Sequence, residues 1–311
     1  MLFLLLFNKQ IFSFFEDIYN LKGSARSVAT SASLSNDDAI AGITTNPTNI
    51  LSQKNILSFF YSSMFGGLSN SSLSFVYKLS EKNNLFRKTK LKNFGISIFY
   101  NNIEFTNSTQ LEFNDINQNG IKDIDEEVIY DKAKIKKDLN TNIALCLATV
   151  SSFEKFLLGF GLKYFYSKIA SYTSSFATLD TAVKLILNNS FKISCKVNNL
   201  LSTSNKENYP LNFEVGGIYS YNITPLLLLN INLDYATIKD NVISLGGEIT
   251  YNKKYSLRCG VSKLSYNKIS TNTFSTGFGL MLDNGVLIDY AFKVLQEIQE
   301  NMHFVSLSYR F

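Results

Sequence analysis

From about residue 57 to its end the chain alternates apolar against small or polar residues with a period of two, and this restricts its fold more than any other feature. Phe156, Leu158, Phe160, Leu162, Tyr164 and Tyr166 share one parity, with Gly159, Gly161 and Lys163 on the other. Ala177, Leu179, Thr181, Val183, Leu185 and Leu187 oppose Asp180 and Lys184, and Phe213, Val215, Gly217, Tyr219 and Tyr221 oppose Glu214. Ile243, Leu245 and Ile249 oppose Glu248; Val286, Ile288, Tyr290 and Phe292 oppose Asp289 and Lys293. Successive side chains of a strand point to opposite faces, so each segment has one greasy face and one polar face.

A soluble antiparallel sheet alternates in the same way, so segment length and number decide between a sandwich and a barrel. About fourteen segments, each of roughly 8 to 13 residues, centre near residues 61, 75, 99, 145, 161, 182, 194, 217, 231, 246, 259, 277, 290 and 306, an even number of tilted transmembrane strands. Tight turns are expected at Ser151 to Phe153, Asn188-Asn189, Asn222 to Pro225, Asn252-Lys253 and Asp283-Asn284-Gly285, where Asn and Asp bond their own backbone. Longer links are expected at Thr106 to Asp138, Lys168 to Phe176, Leu200 to Pro210, Tyr266 to Asn272 and Leu295 to Asn301. Short turns at one end and long loops at the other are the asymmetry of outer-membrane barrels, with both chain ends on the short-turn side.

The apolar content has no helical route across a bilayer. With 45% hydrophobic and 14% aromatic residues and 3 prolines the chain is not disordered, yet it contains no run of the ~18 apolar residues that a spanning helix needs. The net charge of +5 is scattered through turns and segments, which excludes a nucleic-acid stripe. Cys146, Cys195 and Cys259 have neither metal-ligand spacing nor the even number of a disulfide framework. The expected fold class is therefore all-β, a transmembrane antiparallel β-barrel of about 14 strands in a bacterial outer membrane.

At the C-terminus Val305, Leu307, Tyr309 and Phe311 alternate with Ser306, Ser308 and Arg310. This resembles the β-signal by which barrel-assembly machinery recognises its clients, and it makes that machinery and outer-membrane lipid the expected partners. At the other end Leu2 to Phe7 is apolar like the h-region of an export signal but has no basic residues before it. Residues 1–22 are either a clipped signal and lead-in or a short apolar segment of the mature chain.

Gly23 to Asp38, reading GSARSVATSASLSNDD, followed by Asn46-Pro47-Thr48-Asn49, resembles the opening of the PorV/PorQ group within the FadL-like barrels, typically G-x-R-A, G-G-A, DD and NPA in order. Thr30 and Ser31 stand where glycines are usual, and Thr48 replaces the alanine. Phe156 to Ser167, then Asp180, then Val197 to Asn199 follow the order of the family's paired middle strands. The resemblance implies a barrel whose segment 23–56 folds into the lumen as a hatch, with Arg26, Asp37, Asp38, Asn46 and Pro47 as hatch residues, above a barrel spanning 57–311 with an external loop at 106–138. It implies passage of hydrophobic or amphipathic small molecules or, in the PorV branch, export-system partners and surface attachment with no solute path. Asn46-Pro47 also suits a helix start, with Asn as cap and Pro at the first position of a short helix over Pro47 to Gln53.

The polar faces collect Lys163, Asp180, Lys184, Glu214, Asp234, Glu248, Asp289, Lys293 and Arg310 in the lumen, where burial requires each to be paired or wet. A structural ion-pair network and a permeation path both satisfy that requirement. One histidine, His303, leaves no triad to assemble, so no enzyme is expected; it is read as an interfacial or luminal polar residue. The remaining motif is Asp115, Asn117, Asn119, Ile121 (by its carbonyl), Asp123 and Glu126 with Gly120 at the sharp turn, the oxygen spacing of a Ca²⁺ loop. The flanks are not helical, so the segment is either a Ca²⁺ site in the external loop or a solvated Asn/Asp turn.

Overall fold

The computed structural model describes residues 23–32, 34–63, 69–80, 88–107, 112–113, 128–129, 136–169, 172–203, 211–237, 241–266, 269–295 and 300–311. Segment 1–22 and the Asp115 to Glu126 motif lie outside the described residues. The strands are β1 (Ile56–Ser63), β2 (Ser69–Lys78), β3 (Leu91–Asn107), β4 (Glu112–Phe113), β5 (Val128–Ile129), β6 (Lys136–Ser152), β7 (Phe156–Ile169) and β8 (Tyr172–Ile186). They continue as β9 (Phe191–Ser202), β10 (Asn212–Thr224), β11 (Leu227–Thr237), β12 (Asn241–Tyr251), β13 (Tyr255–Tyr266), β14 (Ile269–Met281), β15 (Val286–Leu295) and β16 (Glu300–Arg310). All but β4 and β5 form one closed antiparallel barrel of fourteen strands, in which each strand pairs with its neighbours in sequence. β1 closes on β16 from Ile56 opposite Arg310 to Ser63 opposite His303. β4 and β5 pair as a separate ribbon inside the β3–β6 connection.

The alternation becomes an inside and an outside. Leu57, Phe59 and Tyr61 on β1, and Phe160, Leu162 and Tyr164 on β7, are exposed on the outer wall, whereas Ser58, Phe60, Ser62, Gly159, Gly161 and Lys163 are buried in the lumen. On a soluble protein such an apolar exterior would aggregate; in a bilayer it is the solvated face.

At one end lie the short turns 153–155, 187–190, 225–226, 252–254 and 282–285, one longer connection, 79–90, and both the entry to β1 and the end of β16. At the loop end lie 64–68, 108–135, 170–171, 203–211, 238–240, 267–268 and 296–299. Two links expected to be long are therefore tight: β7 runs to Ile169 and β8 starts at Tyr172, while β13 runs to Tyr266 and β14 starts at Ile269. Thr, Ser and Tyr at these ends look loop-like by polarity, yet Thr and Tyr favour strands, and the ladder continues past the apolar belt.

The N-terminal segment forms α1 (Ala25–Ala29), α2 (Ala39–Gly42) and a 3-10 turn at Pro47–Ile50 inside the barrel. The expected helix to Gln53 is thus shortened. Asn46 caps it and Pro47 starts it, but Leu51 takes an extended ψ of 110° because the chain must already be turning to feed β1 at Ile56.

Strand position also corrects a depth. Leu185 faces outward but sits one residue from the turn end of β8, at the interface, whereas Leu162 is at the middle of β7 between Leu147 and Leu179. Leu162→Arg is expected to cost about 2 to 4 kcal/mol of barrel stability and Leu185→Arg only about 0 to 1. Urea unfolding in lipid vesicles checks this; equal costs would mean that the belt is displaced along the barrel.

Candidate functional site

The candidate site is the lumen where the N-terminal segment seats. In α1 the Ser24 hydroxyl accepts the Ser27 amide at 3.1 Å as an N-cap, and the side chains that follow are small enough for close docking on β13 to β16. Ala25, Val28 and Ala29 pack on Phe60, Ala291 and Phe304. The wall answers with glycines: a Cβ added at Gly260 would stand 2.5 Å from the Thr30 carbonyl carbon, and one at Gly159 2.6 Å from the Thr48 nitrogen. Backbone therefore lies on backbone at both ends of the hatch.

Asp38 caps α2 by accepting the Ile40 amide at 3.1 Å and the Ala41 amide at 3.4 Å, and it also receives the Ser24 hydroxyl, tying the two helices together. Asn46 and Asn49 donate to the Leu34 carbonyl at 2.7 and 3.1 Å, folding the hatch back on itself. Ile40, Ile43 and Ile50 are then buried against Val76, Phe99, Val150, Leu157, Phe165 and Phe176 of β2, β3, β6, β7 and β8.

The opposite wall is charged. Arg26 grips Glu248 with two bonds, Nη2 to Oε1 at 2.7 Å and Nε to Oε2 at 2.9 Å. Arg258 donates to the same Glu248 at 2.5 Å and to Asp289 at 2.7 Å, so the hatch extends a ladder across β12, β13 and β15. Bidentate guanidinium–carboxylate pairing is the strong form of ion pair, and here the carboxylate is buried while Arg26 is 19% exposed. Asp37 bonds Lys184 at 2.7 Å and also Lys192, while Lys184 reaches Asn49 as well. Burial opposes ionisation of Asp37, but the two lysines outweigh it and hold the carboxyl well below the usual carboxylate range, so this contact survives mild acid and is lost only as pH falls through that lowered value. Asp234 accepts the Leu34 and Ser35 amides at 2.8 and 3.2 Å.

Away from the hatch Lys163 and Lys196 flank Asp180 at 2.8 and 3.4 Å, and Asp180 also accepts the Asn199 amide at 3.1 Å, where β9 bulges with Asn199 at a φ of 57°. Glu214 is half-buried and bonded by Asn198 and Asn212. Lys293 is half-buried on the same face of β15 as Asp289. Arg310 faces inward with its Nε unpartnered, beside a water-sized cavity of about 20 Å³ lined by Ser24, Arg26, Asp38 and Asp289.

Pro47 lies against Gly159. Val305, Leu307, Tyr309 and Phe311 are all exposed on the outer wall, and Phe311 stacks with Tyr309 at 5.6 Å. His303 is on that wall too, its Nδ1 2.7 Å from the Tyr290 hydroxyl, so the luminal alternative for it does not hold. Lys192, Lys196 and Arg258 went unselected in the sequence, although Lys192-Ser194-Lys196-Asn198 and Ser256-Arg258-Gly260-Ser262 carry the same period-two signal. Among the described residues no cluster of His, Cys, Asp and Glu could hold a metal ion.

Solved structures share this architecture. The Ralstonia pickettii toluene transporter TbuX is similar with a TM-score of 0.61 and 11% identity, covering 94% of this chain and 100% of that one. The Pseudomonas putida toluene transporter TodX gives 0.60 and 12% identity over 93% of this chain and 98% of that one. The Acinetobacter baumannii outer membrane protein Omp33 gives 0.51 and 8% identity over 84% of this chain and 99% of that one. No protein-family model and no curated protein matches the sequence. At such identities the likeness is one of fold, a closed antiparallel membrane barrel.

Removing one partner of a buried pair strands the other, so Glu248→Gln should cost about 3 to 5 kcal/mol by leaving Arg26 without its carboxylate and Arg258 with Asp289 alone. Asp37 is itself 38% exposed, so Asp37→Asn should cost less than Glu248→Gln, although it leaves the buried Lys184 ammonium with Asn49 alone. Hydrogen exchange checks both: protection of Ala25 to Ala29 should fall in the first variant and persist in the second.

Proposed function

We propose that this protein is a FadL-like bacterial outer-membrane barrel for passive transport of hydrophobic or amphipathic compounds, with the 23–55 segment as its gate. The observation that carries this reading is the divided lumen. Around the hatch, Phe99, Val150, Leu157, Phe165 and Phe176 make one part of the wall apolar, while Lys184, Lys192, Asp234, Glu248 and Arg258 make another charged. A path with one greasy and one polar side suits a solute with the same division. That TodX and TbuX carry the description of toluene transporters adds support.

A second reading, a PorV-type barrel with a role in protein export or surface attachment and no solute path, is favoured by the Arg26–Glu248–Arg258–Asp289 ladder, which fills the lumen with fixed charge. One experiment separates them. The Ser31 and Ser275 hydroxyls are 2.7 Å apart, so cysteines at both positions can lock the hatch to β14. In cells whose lipopolysaccharide excludes N-phenylnaphthylamine, the wild-type barrel should speed dye entry, the oxidised Ser31→Cys/Ser275→Cys barrel should not, and reductant should restore it. If the wild-type barrel leaves entry unchanged, transport is wrong and the export reading stands.

We also propose Ca²⁺ binding by Asp115, Asn117, Asn119, the Ile121 carbonyl, Asp123 and Glu126. The β4–β5 ribbon supports it by holding Phe113 opposite Val128, which brings the two ends of segment 114–127 together. Titration calorimetry should find millimolar Ca²⁺ uptake that Glu126→Gln abolishes without unfolding the barrel; equal uptake in both proteins would rule the site out.

A further inference from the structure

Two rows of inward side chains run in register around the loop-end half of the lumen, one directly above the other. The upper row is Ser62, Asn70, Asn101, Asn142 and Ser167, each directly opposite the next across β1, β2, β3, β6 and β7. Two residues nearer the turn end on those strands, and continuing onto β8, stand Phe60, Ser72, Phe99, Ala144, Phe165 and Phe176, again in direct register. Phe165 and Phe176 stack at 4.8 Å, and Phe99 is 2% exposed. Below this aromatic row sits the hatch, through Ile40, Ile43 and Ile50.

The upper row carries unused acceptors. Asn101 and Asn142 are 6% and 5% exposed, and neither amide oxygen has a hydrogen-bond partner; the buried Ser62 hydroxyl and the Ser167 hydroxyl are likewise unpartnered. Buried polar atoms are ordinarily satisfied, and leaving one unmade is costly. Four such atoms on four of five adjacent strands face inward beside the row of phenyl rings, and together the two rows match a molecule with donors at one end and an apolar body at the other.

We propose that these two rows form a binding subsite for a small neutral amphiphile, a hydroxyl- or amino-bearing aromatic or short alkyl compound. Its donor hydrogens bond the Asn101 and Asn142 carbonyl oxygens, and its body lies on Phe99, Phe165 and Phe176. The inference rests on the transport reading and deepens it, because it assigns the polarity of the cargo. An ionised carboxylate could accept from the Asn amide N–H and Ser O–H groups, but neither row carries a cation, so burying its charge there is costly and it is disfavoured. A pure hydrocarbon uses the phenyl floor and leaves the amides unmatched.

Binding of 4-fluorobenzyl alcohol, 4-fluorotoluene and 4-fluorobenzoate to the full chain in lipid nanodiscs, read by ¹⁹F line broadening against empty discs, tests this. In the wild type the alcohol should bind better than the benzoate. Asn101→Leu/Asn142→Leu should weaken the alcohol about tenfold, the loss expected for one good hydrogen bond, and leave fluorotoluene unchanged or tighter. Asn101→Ser/Asn142→Ser, a smaller change, serves if the leucine pair does not assemble and should show the same loss of alcohol preference. Alcohol binding unchanged in the variants, or benzoate bound as tightly as the alcohol, overturns the subsite while fluorotoluene binding keeps the transport reading alive. Failure of all three compounds to bind the wild type overturns both.

Discussion

Everything in this molecule depends on closing the backbone hydrogen-bond ladder inside a membrane. Lipid offers no partner to a free amide or carbonyl, so a sheet can cross only if its first and last strands meet. Here they meet along all of β1, and the seam is extended beyond the strands by Asn55 and Phe311, whose backbones exchange reciprocal bonds of 3.1 Å. The C-terminal residue thus stitches the end of the barrel to the segment that enters it, and its ring stands on the outer wall. Once the ladder is closed, the period of two turns every apolar residue of one parity to lipid and every residue of the other to the lumen.

Closure creates the second problem, an interior that is polar and needs filling. A fourteen-stranded lumen is too wide for its own side chains to fill, and the hatch is the solution the chain uses. Small residues and wall glycines let α1 and the 3-10 turn come within backbone contact, so the seat is shaped without large side chains. Charge then fixes orientation: Arg26 engages one side of the barrel and Asp37 another, with opposite signs, so the hatch fits one way round. Apolar burial of Ile40, Ile43 and Ile50 supplies adhesion on the third side, where direction matters less.

The barrel was legible in the sequence because alternation is a local property, carried by each strand separately. Strand positions, the even count and the turns at Asn188, Asn252 and Asp283 follow from a few residues each. Connection lengths at the loop end were misjudged because Thr173 and Ser270 read as loop by polarity, while neighbouring strands already in place carry the ladder through them. The luminal partners were hidden for a different reason. That Glu248 meets Arg26 joins residues 222 apart in sequence, and only the closed topology makes them neighbours. The apolar floor was hidden by its own parity: Leu157, Phe165 and Phe176 sit on faces where alternation leads one to expect small or polar residues, and their presence there makes sense only once the hatch covers them.

Those exceptions to the alternation are what the transport reading rests on. In a barrel whose lumen merely held water, inward phenylalanines would expose apolar surface to no benefit; in one sealed permanently by ion pairs, the inward asparagines would find partners in the seal. Neither condition holds on the β3, β6, β7 and β8 side, where the rings are covered by a hatch whose Arg26–Glu248 attachment lies on the other wall, and where amide oxygens remain unmatched beside them. On the transport reading, the Glu248 ladder sets how firmly the hatch is held, and the apolar wall sets what can take its place. The Glu248 ladder and the phenyl rings stand on different strands, so a substitution in the ladder does not touch the rings and one at Phe165 does not touch the ladder.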